Sequence, residues 1–318
     1  MIYIDLTTSI HEIETLLKKL QFMHTKEKIL SINRPGEGNM NVVIRVITNQ
    51  RSFILKQSRP FVQKYPEIKA PIERITVEKV FFEAIKNESI NNYFPEVLLY
   101  DEQEKLIIQE DIVNSNDMIE LYDNKILRKG DLIKVVKILK GVHSTNINMD
   151  YPLNLELRKL NYEHIFIIPF LKENIVESEI KSISNSIIND IELLNTVKIA
   201  SKRYLEKGDC LLHGDYYPGS WLKNDNDEIF IIDPEFSFVG LKEFDIGVLC
   251  AHLIMITGKL SYIDTVVNSY ARAMDIKLMS QFTGIEIIRR ILGVAKLPMT
   301  RSIKEKKNLL DIARRLII

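Results

Sequence analysis

The chain has 318 residues, enough for two lobes, and its 43 Lys and Arg balance its 43 Asp and Glu, so the formal net charge is zero. Because no basic excess attracts nucleic acid, we expect no nucleic-acid partner. The two cysteines, Cys210 and Cys250, lack the spacing of a disulfide framework or a zinc site, and we expect both to pack as small apolar side chains.

No segment predicts membrane insertion. Residues 1–5 lack the charged-then-apolar pattern of a signal peptide. The longest apolar stretches, such as residues 248–256, are interrupted by His252 and are too short to span a bilayer. We therefore expect a cytoplasmic enzyme without a membrane partner, and a homodimer stays an open option.

The first predicted functional element is a glycine-bearing loop at residues 34–41, which precedes a β-rich run. Its glycines match neither the G-x-G-x-x-G spacing of protein kinases nor a Walker A motif. We nevertheless take Gly36, Gly38 and Asn39 as candidate nucleotide contacts. The alternative is a turn that only leads into the following strand.

Two β-rich runs, residues 42–47 and 52–56, flank a polar Thr-Asn-Gln turn and predict a β-hairpin. Lys56 ends the second run, where a nucleotide-binding kinase places the lysine that contacts the α- and β-phosphates. Taken alone, a lysine in this position is more often a solvated strand end.

Residues 75–85 carry apolar side chains at the i, i+3, i+4, i+7 spacing of a packed helix. Glu78 lies near the start of this helix, beside its apolar stripe. We predict that it pairs with Lys56 and sets the amine at the phosphates. Glu83 is the competing carboxylate, and its alternative role is on a solvated helix face.

Residues 106–111 predict a buried strand that runs into a polar connector. In a two-lobed kinase this connector is the hinge whose backbone groups hydrogen-bond the adenine. Gln109, Glu110 and Ile112 are therefore candidate nucleotide contacts. We place the domain boundary here, with residues 1–112 as the N-terminal nucleotide-binding lobe and residues 113–318 as the C-terminal catalytic and substrate-binding lobe.

Beyond this boundary the periodicity is helical. Residues 131–143 have one apolar face, with Asp131 as the predicted N-cap. The helical period returns at residues 177–204, 244–257, 263–274 and 284–297. A β-rich N-terminal lobe followed by a mainly helical C-terminal lobe predicts the α+β fold class.

The most informative motif is a His-Gly-Asp sequence that ends at Asp215, followed by Ser220 and then by an Asp-Pro-Glu sequence that begins at Asp233. Protein kinases order a catalytic Asp, a polar metal ligand and a magnesium-binding Asp in a similar way. Phosphoryl transfer needs an oriented hydroxyl and Mg²⁺ on the phosphates more than it needs covalent help. With the lysine and glutamate upstream, this order predicts a small-molecule kinase that uses ATP and Mg²⁺.

Each acidic residue of these motifs has a predicted role. Asp215 is the predicted catalytic base, which takes the proton of the acceptor hydroxyl. Asp233 and Glu235 are predicted to share one face of an extended segment and to bind Mg²⁺ through hard carboxylate oxygens. Ser220 is a third candidate metal ligand, at the place in the motif where protein kinases have a polar metal ligand, and Glu235 would compensate for its weaker neutral hydroxyl.

Two adjacent arginines, Arg289 and Arg290, follow an apolar helical run and point about 100° apart on a helix. From spacing alone, a ligand role and a solvated or salt-bridged helix face are about equally favoured. Asp245 is predicted to brace the catalytic loop. Trp221 is predicted to lie in the core, with substrate stacking as the minority alternative. The histidines at positions 11, 24, 164 and 252 have no ligand-like partners in the sequence.

The motifs resemble the aminoglycoside phosphotransferase and choline kinase superfamily, and within it most of all the methylthioribose kinases. The general signature is similar to the His-Gly-Asp motif, Pro218-Gly219 and Asp233. Features similar to methylthioribose kinases are found at residues 36–41, 56–62, 219–220, 233–236, 244–247 and 288–295. The resemblance therefore extends over nearly the whole chain.

This resemblance implies a fold similar to the two-lobed protein kinases, with ATP and Mg²⁺ as cofactors. It implies phosphorylation of the anomeric hydroxyl of 5-methylthioribose in methionine salvage. It also implies that Arg289 and Arg290 lie at the sugar site with Asp215, which favours a substrate role for the two arginines.

The chain departs from the family pattern near the expected acceptor site. Tyr216-Tyr217-Pro218 stands where the family usually has Leu-His-Thr, Trp221 is bulky for its position, and Lys296 replaces a His. Two alternatives therefore stay open. One is a phosphotransferase of the wider superfamily that acts on an aminoglycoside, choline or a ketoamine. The other is a nucleotide-binding pseudokinase with a scaffold role, against which retention of the acidic motifs counts.

Overall fold

The structure is a computed structural model that describes residues 2–5, 7–36, 40–147, 150–174 and 178–318. The chain divides into two compact units, the first formed by residues 1–116 and 222–236 and the second by residues 117–221 and 237–318. The predicted division at residues 112 and 113 did not include the return of residues 222–236 to the first unit. Ion pairs of Lys56 with Asp233 and of Arg74 with Glu235 tie this returning segment to the first unit.

The strands are short, and the longest ones precede the middle of the chain. Their bounds are β1 Ile29–Asn33, β2 Val42–Thr48, β3 Ser52–Gln57, β4 Phe61–Val62, β5 Tyr65–Lys69, β6 Val97–Asp101, β7 Leu106–Glu110, β8 Ser115–Asp117, β9 Cys210–Leu212, β10 Trp221–Asn224, β11 Ile229–Ile231 and β12 Phe238–Gly240.

The helices are concentrated in the second unit. Their bounds are α1 Ile10–Lys19, α2 Arg74–Ile85, α3 Leu121–Asn124, α4 Lys129–Val142, α5 Leu155–Tyr162, α6 Ser178–Ile188, α7 Ile191–Leu205, α8 Lys242–Thr257, α9 Ser261–Tyr270, α10 Ile276–Leu292 and α11 Ile303–Ile317. No helix among the described residues has both the length and the apolar character needed to cross a bilayer.

An antiparallel sheet in the order β1-β2-β3-β7-β6 forms the centre of the first unit. Along β2 the side chains alternate between buried and half-buried, as expected when one face of a strand packs on a core. Helix α1 covers this core with Ile13, Leu16 and Leu17. The predicted hairpin is confirmed as β2 and β3, and the predicted segments 75–85 and 106–111 are confirmed as α2 and β7.

Helices α8, α10 and α11 form the centre of the second unit, and α8 is buried along almost its whole length. The close approach of α8 and α10 depends on Gly247. A Cβ at this position would lie 2.7 Å from the Phe282 Cβ and 2.9 Å from the Met279 carbonyl oxygen. Packing therefore explains the glycine of the Phe-Asp-Ile-Gly motif.

Three helix predictions need correction. Helix α4 begins at Lys129, and Asp131 lies in its first turn, where it pairs with Arg128 at 3.0 Å instead of capping the helix. The segment 177–204 contains two helices, because Asp190 accepts the Leu193 N–H as the N-cap of α7. The helix predicted at 284–297 begins at Ile276 and ends at Leu292.

Candidate active site

In the first unit, a buried lysine bridges two carboxylates. The Lys56 side chain is 2% exposed, and its Nζ lies 2.7 Å from Glu78 Oε2 and 2.7 Å from Asp233 Oδ1. The predicted Lys56–Glu78 ion pair is therefore confirmed. The competing Glu83 is paired with Lys79 on the more exposed face of α2.

Charge pairing keeps this lysine ionised. Burial by itself opposes the charge of Lys56, but Asp233 and Glu78 outweigh it and raise its pKa above the ordinary value. Burial also raises the pKa of Glu78, although the Lys56 ammonium opposes this shift. The Glu78 side chain is oriented by Gln109, whose Nε2 donates to Glu78 Oε1 at 3.2 Å. A fixed cation therefore stands next to the more exposed Asp233.

Asp233 lies at a sharp bend in the backbone. Its φ of 62° falls in the left-handed region, which Asp tolerates better than most side chains, and its side chain is 43% exposed. Strand β11 has ended at Ile231, and residues 234–236 form a single 3-10 turn. The predicted extended segment that would place Asp233 and Glu235 on one face is therefore wrong, because the left-handed residue and the turn redirect the chain.

Glu235 is engaged by other side chains of the first unit. Its side chain is 6% exposed, it pairs with Arg74 Nε at 3.2 Å, and it accepts a hydrogen bond from Asn41 Nδ2 at 2.9 Å. Arg74 is fully buried and also donates to Asn41 Oδ1 and to the Met40 carbonyl, which fixes the end of the glycine-bearing loop. The metal role of Glu235 stays a prediction, and the exposed carboxylate of Asp233 is the better candidate ligand.

Arg74 and Asn41 were missed by sequence reasoning. Arg74 is the first residue of α2, before the apolar stripe, and no local pattern indicates that a cation there is buried. Burial lowers the pKa of Arg74, while the adjacent Glu235 opposes this shift. Arg74 and Glu235 therefore form a buried ion pair, and this pairing can be recognised only in the folded unit.

The other predicted nucleotide contacts lie in or next to the sheet. Gly36 lies on an exposed bend, whereas Gly38 and Asn39 lie outside the described residues. The Glu110 N–H donates to the Glu96 carbonyl at 2.8 Å, and the Ile112 carbonyl accepts the Ser115 hydroxyl at 2.5 Å. Adenine recognition by Gln109, Glu110 and Ile112 stays a prediction.

In the second unit, Asp245 holds the His-Gly-Asp loop by its backbone. Asp245 Oδ2 accepts the His213 N–H at 2.7 Å, and its Oδ1 accepts the Gly214 N–H at 3.0 Å. Gly214 has a φ of 85°, a left-handed conformation that glycine adopts without strain. Asp245 also contacts His143 Nε2 at 3.2 Å. The predicted bracing role of Asp245 is confirmed.

Asp245→Asn is expected to lower the free energy of unfolding by about 1.5–3 kcal/mol, since a buried carboxylate that accepts two N–H bonds is replaced by an amide with one acceptor oxygen. Urea unfolding followed by circular dichroism measures the change. Asp264→Asn, on the exposed face of α9, is the control and should stay within about 0.5 kcal/mol of wild type. Equal stability of the two variants would contradict the bracing role.

Asp215 follows this braced loop and faces an arginine. Its side chain is 23% exposed, and its Oδ1 lies 3.3 Å from Arg290 Nη2. Burial raises the pKa of Asp215, and Arg290 and Arg289 oppose this shift. The Ser220 hydroxyl donates to the Asp215 backbone carbonyl at 2.9 Å. The metal role of Ser220 stays a prediction, and its observed contact supports the loop.

The two arginines lie on α10 and share one carboxylate. Arg290 Nε contacts Glu286 Oε1 at 2.5 Å, and Arg289 Nη1 contacts Glu286 Oε2 at 3.0 Å. Their side chains are 6% and 12% exposed, respectively, so neither lies on a solvated helix face. The Arg290 guanidinium also lies 4.9 Å from the centre of the Tyr217 ring. Of the two arginines, Arg290 is the one that reaches Asp215.

Three further residues of this cluster escaped sequence analysis. His252 Nδ1 lies 2.5 Å from the Tyr122 hydroxyl, and His252 Nε2 lies 3.2 Å from Glu286 Oε1. The position of Glu286, one helical turn before the two arginines, was an available signal for an ion pair. His252 and Tyr122 gave no such signal. The predicted core position of Trp221 is confirmed, since it is fully buried and its ring centre lies 5.6 Å from that of Tyr216.

Comparison with known proteins identifies the family to which the chain belongs. The sequence profile of the phosphotransferase enzyme family matches residues 31–276. A methylthioribose kinase from Geobacillus sp. (strain WCH70) is 25% identical over 90% of this chain and 83% of its own length.

Solved structures confirm the predicted two-lobed, protein-kinase-like α+β fold. A spectinomycin phosphotransferase in complex with ADP and spectinomycin superposes with a TM-score of 0.58 at 16% identity, covering 96% of this chain and 98% of that chain. A choline kinase from Streptococcus pneumoniae superposes with a TM-score of 0.56 at 14% identity, covering 96% and 99% of the two chains. Since the family match spans most of the sequence, the chain belongs to the phosphotransferase enzyme family and is an ATP-dependent kinase of a small molecule with an alcohol group as acceptor.

Proposed function

We propose that this kinase phosphorylates a sugar hydroxyl, with 5-methylthioribose or a related pentose derivative as the acceptor. The observation that carries the proposal is the contact of Arg290 with Asp215 at 3.3 Å. A guanidinium beside the base offers a rigid set of donors that suits sugar hydroxyls and developing phosphate charge. The similarity to a methylthioribose kinase over most of both chains supports this choice of acceptor.

The first unit would bind the phosphates and the metal. Lys56, kept cationic by its two carboxylates, is suited to contact the phosphates, and Glu78 holds it in place. Asp233 fits Mg²⁺, because its carboxylate is partly exposed and offers the hard oxygen ligands that this ion prefers. Bound Mg²⁺ would neutralise charge on the phosphates.

In the second unit, Asp215 would accept the proton of the acceptor hydroxyl as that oxygen attacks the phosphorus atom. A base must be ionised before it can take a proton, and burial works against ionisation of Asp215. The Arg290 cation favours the ionised form. Asp245 keeps the backbone of the loop still, so the carboxylate is oriented before the acceptor arrives.

One observation favours a different acceptor within the same superfamily. Tyr217, which stands where methylthioribose kinases usually have a histidine, packs its ring against His252 at 5.1 Å and lies under Arg290. A phenol ring next to the base changes the shape and polarity available to a sugar. An aminoglycoside, choline or a ketoamine is therefore the second candidate acceptor.

A coupled assay of ADP release with methylthioribose, ribose, choline, an aminoglycoside and a ketoamine tests the proposal. We expect the highest kcat/KM with methylthioribose or a related pentose derivative, and turnover only when Mg²⁺ is present. Preference for a cationic acceptor would overturn the sugar assignment and leave the kinase assignment in place. ATP binding without turnover on any acceptor would instead favour the pseudokinase.

Arg290→Lys is expected to lower kcat/KM for the acceptor by about ten- to a hundredfold, because a charged hydrogen bond contributes roughly 1.5–3 kcal/mol. Lysine cannot reproduce the several N–H donors that the planar guanidinium holds in a fixed geometry. The KM for ATP should stay nearly constant. Arg289→Lys is the matched control on the same helix turn, since Arg289 shares Glu286 but makes no hydrogen bond or ion pair with Asp215 in the described part of the chain. Wild-type kinetics in both variants would assign the two arginines a structural role.

A further inference from the structure

A continuous line of polar contacts runs through the second unit and ends at Asp215. It begins at the Tyr122 hydroxyl, passes through both ring nitrogens of His252 to Glu286 Oε1, and continues through Arg290 to Asp215 Oδ1. The donor–acceptor distances along this line are 2.5, 3.2, 2.5 and 3.3 Å. Its first three members are at most 1% exposed. Water therefore does not compete for these bonds.

The charge states along this line determine the direction of every hydrogen bond. Burial opposes ionisation of Glu286, but Arg289 and Arg290 outweigh it and hold the pKa of Glu286 well below its usual range. Burial lowers the pKa of His252 to about 4, so its imidazole is neutral near pH 7. An ionised carboxylate only accepts, and therefore His252 must carry its proton on Nε2. Its Nδ1 is then an acceptor, and the Tyr122 hydroxyl must donate to it.

Glu286 is the residue through which this line acts on the base. Its Oε1 accepts from both His252 Nε2 and Arg290 Nε. Both donors approach the same oxygen, so the histidine restrains the carboxylate that in turn restrains the guanidinium. The Tyr217 ring adds a second restraint, because its centre lies 5.1 Å from that of the His252 ring and 4.9 Å from the Arg290 guanidinium.

We propose that Tyr122, His252 and Glu286 are positioning residues for phosphoryl transfer, which hold Arg290 in the orientation that keeps Asp215 ready to act as the base. This inference rests on the proposed role of Asp215. None of the three needs to touch the acceptor or the nucleotide, and no proton has to move along the line during the reaction. Their contribution is to the orientation of charge before the acceptor hydroxyl arrives.

Nitrogen-15 NMR of the imidazole rings tests the bond directions without any substrate. The protein has six histidines, and the His252→Gln variant identifies the His252 signals by their loss. At pH 7 we expect a neutral ring with the proton on Nε2 and an unprotonated Nδ1. A proton on Nδ1, or a charged ring, would overturn the proposal. This result does not depend on the identity of the acceptor, so it stands apart from the outcome of the acceptor screen.

Kinetics then test whether the line acts on the base. Tyr122→Phe removes one hydroxyl and is expected to lower kcat about three- to tenfold with an unchanged KM for ATP, as expected for a bond worth roughly 1 kcal/mol. Tyr151→Phe is the matched control, because its buried hydroxyl makes a 2.7 Å bond to Ser237 that is not part of this line. Equal kcat values in the two variants would overturn the proposal.

Two further comparisons separate positioning from simple packing. His252→Gln can accept from Tyr122 and donate to Glu286, so it should retain more activity than His252→Leu, which can do neither. The effect of Tyr122→Phe should also disappear in an Arg290→Lys background, since the tyrosine acts only through that guanidinium. Additive effects, or equal loss in the two His252 variants, would overturn the proposal. A normal rate in Asp215→Asn would instead refute the proposed role of Asp215 as the base.

Discussion

Asp215→Asn is expected to lower kcat by about 10²–10⁴-fold, the usual contribution of a positioned acid or base. The amide cannot take the proton of the acceptor hydroxyl, whereas the contacts proposed for ATP all lie in the first unit. The KM for ATP and the affinity for ATP should therefore change little. Steady-state kinetics combined with calorimetric titration of ATP separate the two quantities.

The pH dependence of the wild-type enzyme provides an independent check. Burial raises the pKa of Asp215 above that of an ordinary aspartate, so kcat/KM should fall on the acid side at a higher pH than an exposed carboxylate would give. The residual kcat/KM of Asp215→Asn should not show this fall at acid pH. Loss of ATP binding in this variant, with the chemical step intact, would show that Asp215 is not the base.

Asp233→Asn is expected to lower turnover by about 10³-fold or more, because metal neutralisation of phosphate charge is worth several kcal/mol. The amide has no negative charge with which to hold Mg²⁺. Calorimetric titration of ATP should show that Mg²⁺ strengthens binding to wild type much more than to the variant. This binding measurement gives a readout that does not depend on the acceptor.

Glu235→Gln is the comparison that separates the two acidic residues of the Asp-Pro-Glu motif. Because Arg74 and Asn41 engage Glu235, we expect this variant to lose stability while keeping most of the Mg²⁺ effect on ATP binding. If the Mg²⁺ effect on ATP binding is instead lost in Glu235→Gln and kept in Asp233→Asn, Glu235 is the principal ligand. If Mg²⁺ strengthens ATP binding in both variants as much as in wild type, neither residue binds the metal.

Local sequence patterns were sufficient for the elements that carry the site. Side chains alternate between the two faces of the hairpin strands with a period of two residues, and apolar side chains recur on one face of α2 with a period of 3.6 residues. Both periods are visible in the sequence without tertiary information. The order of lysine, glutamate and the two acidic motifs then predicted the Lys56–Glu78 pair, and the Phe-Asp-Ile-Gly motif predicted the bracing role of Asp245. These predictions succeeded because each partner occupies a defined position on a regular element or a short motif.

The tertiary structure decided the partners of the remaining charged groups. The left-handed backbone at Asp233 and the 3-10 turn after it end the extended segment predicted for this motif, and Glu235 pairs with the buried Arg74. His252 meets Tyr122 across 130 residues of chain and Glu286 across 34. No local period encodes such contacts, because buried polar groups take whichever partner the packed helices bring within hydrogen-bond distance. The sequence by itself therefore predicted which residues carry the chemistry, and only the fold decided which neighbours contact them.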